Sequence, residues 1–85
     1  MARTQTQSQF IGKSENVGAE GCFSINFYRP PSSNPVSVMG IPLEEGSSLK
    51  IEQNVGDEDH TFYQIIFTET IAGANALFVT QIMPL

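Results

Sequence analysis

One stretch of the chain gathers side chains of the kind that bind metals or move protons, Asp57-Glu58-Asp59-His60. Carboxylates set close together can hold a hard cation such as Ca²⁺, but a calcium loop supplies about six oxygen ligands around a glycine turn. Three consecutive acids in a hairpin point in different directions, so the expectation is a solvated turn with no metal and no cofactor. His60 titrates in the physiological range when unperturbed, yet it is the only histidine and reads as a residue at a strand start. Cys22 and His60 could form a nucleophile and base. Cys22, however, lies among strand residues, where a small thiol more often packs than reacts. Gly46-Ser47-Ser48 is a turn leading into a strand and lacks the glycine spacing of a nucleophile elbow. No phosphate-cradling glycine loop is present, and the chain reads as a non-enzyme.

The elements that would have to position these residues are short strands. Val36 to Met39 and Ser48 to Glu52 alternate apolar and polar residues, the period of a strand with one buried face. Glu20 to Tyr28 sets Phe23, Ile25 and Phe27 against Cys22, Ser24, Asn26 and Tyr28, and three prolines within Arg29 to Pro35 end it. Gly40-Ile-Pro-Leu-Glu-Glu-Gly46 reads as a compact turn unit and Ser47 to Gln53 as the next strand. Thr61 to Thr68 carries bulk on both faces and is expected to be covered on both sides. Ala76 to Met83 gives the last strand. Five strands at roughly ten-residue spacing, without a helical period, predict an all-β antiparallel sandwich or open barrel over residues 20–85.

Residues 1–19 differ from the rest. Gln, Ser, Thr, Asn and Gly dominate, and the few apolar residues cannot build a core of their own. Thr4-Gln-Thr-Gln-Ser-Gln9 suits an extended arm that adds to a neighbouring subunit's sheet edge, with Thr4, Thr6 and Ser8 on one side and Phe10 and Ile11 as apolar anchors.

Eighty-five residues make one small domain, and such domains are usually reinforced by disulfides, a metal or neighbours. One cysteine and one histidine rule out an internal disulfide and a four-ligand zinc site, which leaves association with other chains. The net charge of −5 disfavours a phosphate backbone, so nucleic acid is not an expected partner. No run approaches the length of a membrane span and no signal-peptide core is present. A soluble protein made in the cytosol, without a membrane partner, is expected.

The segment Val38-Met-Gly-Ile-Pro-Leu-Glu-Glu-Gly46, with Leu49-Lys-Ile51 and Thr61-Phe-Tyr-Gln-Ile-Ile-Phe67, resembles small β-structured proteins of tailed-phage particles: head decoration (cement) proteins and small tail or fibre components. The resemblance implies a structural virion protein contacting the major capsid protein, other virion proteins or copies of itself. A filament subunit assembled by strand addition is an alternative. So is a carbohydrate-binding module using Tyr28, Tyr63 and Phe62 as a stacking surface.

Overall fold

The computed structural model describes residues 3–85, and residues 1 and 2, the start of the expected arm, lie outside the described residues. The fold is all-β. Eight strands, β1 (Thr4–Ile11), β2 (Glu15–Gly18), β3 (Ser24–Tyr28), β4 (Val36–Val38), β5 (Ile41–Leu43), β6 (Ser48–Glu52), β7 (Phe62–Phe67) and β8 (Leu77–Pro84), form two four-stranded sheets. One sheet has the order β1-β8-β3-β6 and the other β2-β7-β4-β5, with every pairing antiparallel. The chain changes sheet at each connection except the β4–β5 hairpin.

The alternating residues of both sheets meet in one core. Ile25, Phe27, Leu77 and Val79 come from the first sheet, and Val17, Val36, Val38, Tyr63 and Ile65 from the second. Phe27 and Tyr63 meet edge to face across the layers, their ring centroids 5.3 Å apart. That geometry adds about 0.5–1.5 kcal/mol to the area the rings bury.

The structure corrects four expectations. First, residues 4–18 are not a free arm: β1 pairs with β8 over eight residues and β2 with β7 over four. The composition argument fails because Ile11 and Val17 enter the core that the other strands build. Second, there are eight strands rather than five. The third strand missed from the sequence, β5, lies inside the presumed turn unit. Met39 and Gly40 both have positive φ, 51° and 80°, and form the two-residue connection between Val38 and Ile41, the geometry of a type I′ hairpin. Pro42 is tolerated in β5 because β5 is a sheet edge. Third, β3 begins at Ser24 rather than Glu20, since Glu20 and Gly21 take φ of 56° and 82° and turn the chain. A Cβ on Gly21 would also lie 3.0 Å from Glu58 Oε1. Fourth, β7 is covered on one face only. Tyr63, Ile65 and Phe67 are buried, whereas Phe62 (72% exposed) and Ile66 (45%) face outward.

Candidate functional site

The residues expected to contact a neighbour lie along one sheet edge. Among the described residues, β1 has β8 on one side and no strand on the other. In an antiparallel pair, opposite residues alternate between positions that exchange hydrogen bonds and positions that do not. The Leu85 N–H donates to the Arg3 carbonyl at 3.1 Å, which sets the phase. Gln5, Gln7, Gln9 and Ile11 direct their backbone groups at β8; Thr4, Thr6, Ser8 and Phe10 direct theirs outward. Pro84 agrees with this phase, because it stands opposite Thr4, where β8 needs no N–H towards β1.

Side chains follow the same alternation. Thr4, Thr6, Ser8 and Phe10 lie on the outer face of the sheet, and all four are exposed. Ile11 points inward and is buried, so it is a core residue rather than an accessible anchor. Phe10 packs edge to face on Phe78 with centroids 5.6 Å apart, and Tyr28 stands opposite Phe78 on the next strand. This aromatic row crosses the sheet. On the inner side, Gln7 and Gln9 of β1 and Gln81 of β8 face Glu15 and Asn16 of β2 across a polar groove of about 280 Å³.

The four open edges are not alike. β6 carries Lys50 and Glu52, β2 carries Glu15, and β5 is three residues long with Pro42 at its centre. Charge, proline and brevity are the usual devices that keep an edge from pairing. Among the described residues β1 has none of them, and its register with β8 runs without a bulge.

The three acids point in different directions, but the turn is not wholly solvated as expected, because Asp59 is buried. Asp59 turns into the protein and accepts hydrogen bonds from the Thr61 N–H at 2.9 Å and from the Tyr63 hydroxyl. Glu58 stays exposed beside His60, with 3.5 Å between Oε1 and Nε2. Among the described residues no group of three ligand-type side chains is brought together. Burial alone would raise the Asp59 carboxyl, but the hydrogen bonds from Tyr63 and Thr61 outweigh it and hold the carboxyl below its ordinary value. The Tyr63 hydroxyl is pushed up to about 12, first by burial and then by its bond to Asp59.

Cys22 is fully buried with Gln81 and Asp59 as its polar neighbours, while His60 faces Glu58 in solvent. Burial pushes the Cys22 thiol up, against the hydrogen bond from Gln81, and a raised thiol is a poor nucleophile. The proposed sugar platform does not form either. Tyr63 is buried, and Tyr28 and Phe62 lie on different sheets.

Two polar residues that carry much of the architecture have no signature in the sequence. Arg29 is buried and donates to the carbonyls of Leu43 (2.9 Å) and Ser33 (2.8 Å), tying the β3–β4 loop to β5. Asn34 is completely buried. Its Nδ2 donates to Ile71 O and Asn75 Oδ1, each at 2.8 Å, and its Oδ1 accepts from the N–H groups of Thr70 and Ile71. Among the described residues, every buried side-chain nitrogen and oxygen has such a partner. Compared with known protein families, characterised proteins and solved structures, the chain matches none.

Proposed function

We propose that this chain is a non-enzymatic structural protein of a virus particle, in the manner of a phage capsid decoration protein or another small virion component. It is made in the host cytoplasm and stabilises the particle through contacts between protein subunits. The observation that supports this reading is the uncharged, exposed edge of β1, which offers the outward backbone groups of Thr4, Thr6, Ser8 and Phe10. Main-chain pairing at such an edge gives affinity without demanding a particular partner sequence. The buried polar groups support it indirectly, since Arg29, Asn34, Asp59 and Gln81 are committed to holding loops rather than to a reacting centre. The resemblance of residues 36–69 to tailed-phage proteins supplies the particle.

Mass spectrometry of purified particles from a culture carrying the sequence tests this. The chain is expected in fixed proportion to the shell protein, and particles that lack it would overturn the reading. The second reading, a filament subunit, is favoured by the two open edges of one sheet, β1 and β6. Head-to-tail addition of one to the other gives an open filament where the rotation between copies does not close a ring. Electron micrographs of the concentrated chain distinguish fibres from discrete particles.

A further inference from the structure

We infer that the occupant of the β1 edge is the β1 edge of a second copy, paired antiparallel about a two-fold axis through Gln7. This inference rests on the assembly reading above and names the partner.

Charge selects the edge. The chain carries −5 overall, so copies repel one another. β1 carries no charge between Thr4 and Ile11, so two copies paired along it set no like charges opposite each other within the strand, and Arg3 and Lys13 lie beyond its ends. The other edges present Glu15, or Lys50 with Glu52, or the short Pro42 strand.

The backbone phase then selects the register. Hydrogen-bonded pairs must join residues whose groups point outward, which are Thr4, Thr6, Ser8 and Phe10. Centring the axis on Gln7 places Thr4 opposite the partner's Phe10 and Thr6 opposite the partner's Ser8, and every outward residue then exchanges bonds with another. Moving the axis by half a residue, to between Gln7 and Ser8, would set outward groups against inward ones. Moving it to Thr6 or Ser8 would leave one outward residue of each copy unpaired. Side chains suit the same register. Gln7 meets the partner's Gln7 and Gln5 meets the partner's Gln9, amides that each both donate and accept. The β1-β8-β3-β6 sheets of the two copies become one continuous sheet.

Cysteine cross-linking of the full chain reads this register. Gln7 stands opposite itself at a non-hydrogen-bonded position, where Cα atoms lie about 4.5 Å apart, within the span of a disulfide. The native Cys22 is buried and does not compete. Gln7→Cys is expected to form a disulfide dimer at least about tenfold faster than Gln5→Cys or Gln9→Cys alone, because pairing raises the local thiol concentration. An equimolar mixture of Gln5→Cys and Gln9→Cys is expected to cross-link as a heterodimer. Adding Thr6→Lys and Ser8→Lys to Gln7→Cys sets lysines opposite lysines and is expected to abolish the advantage while leaving the unfolding midpoint in place. Equal rates for the three single variants, or a single-chain mass in sedimentation at the highest soluble concentration, would overturn the inference. If the chain is nonetheless found in particles, only the two-fold pairing fails and the assembly reading stands.

Discussion

The loop from Arg29 to Pro35 and the strand β1 are both polar and both lie at the margin of the core, yet they use their polar groups in opposite ways. In the loop, Arg29, Ser33 and Asn34 are buried and turned inward, where Arg29 and Asn34 bond to backbone of other segments and Ser33 donates to the Pro30 carbonyl within the loop. Along β1, only Ile11 is buried, and the backbone groups of Thr4, Thr6, Ser8 and Phe10 point at solvent. A buried polar group that loses its partner costs far more than one that can turn to water. The comparison therefore separates the polar residues that hold the fold from those left for other molecules.

The largest test of that contrast is Asn34→Ala. It strips partners from Thr70 N, Ile71 N, Ile71 O and Asn75 Oδ1 together, and a loss of about 3–5 kcal/mol in urea unfolding is expected. Removing Glu45, the exposed member of the ion pair with Arg29, should cost below about 1 kcal/mol. If the two substitutions cost the same, the loop is not held in the way described.

A second test uses pH. The Asp59 carboxyl is lowered on folding, so its contribution is present above the ordinary carboxylate pKa and is lost as pH falls through the folded value. Tyr63 is raised, so its contribution is present below the ordinary phenol value near 10 and is lost as pH rises through about 12. Asp59→Asn should flatten the acid limb of stability against pH and bring the Tyr63 titration, followed by tyrosinate absorbance, to lower pH.

Backbone geometry gives a smaller effect. Gly40→Ala meets no atom within 4 Å but must hold a φ of 80°, so a loss of about 1 kcal/mol is expected from conformation alone. The smallest effect belongs to β1. Thr6→Lys with Ser8→Lys should change stability by within about 0.5 kcal/mol, as exposed substitutions usually do. A larger loss would mean that β1 serves the fold more than its exposure indicates.

The strands with clean alternation were legible in the sequence. Residues Val36–Val38, Ser48–Glu52, Phe62–Phe67 and Leu77–Pro84 emerge within a residue or two of expectation. What escaped was set by partners distant in the chain. The Thr-Gln alternation of β1 reads equally well as an arm for a neighbour or as an edge strand, and only β8, more than sixty positions away, decides between them. The β4–β5 hairpin was hidden because Met39-Gly40 lacks the Asn-Gly form of its turn, and Pro42 argued against a strand whose edge position could not be seen. Of the expected contact residues, Thr4, Thr6, Ser8 and Phe10 share one exposed face, and Ile11 does not. Asn34 and Arg29 were invisible for a related reason. A polar residue in a proline-rich loop looks solvated until the segments that enclose it are known.

The pairing of β1 with β8 also orders events during synthesis. Of the eight described strands, β1 leaves the ribosome first and its partner β8 last. Until Leu77 to Pro84 emerge, β1 lacks the strand it pairs with, and the sandwich cannot close around Ile11. Adjacent nascent chains on one messenger carry the same unpaired strand at high local concentration, so first contacts between copies can be made before either copy has finished folding.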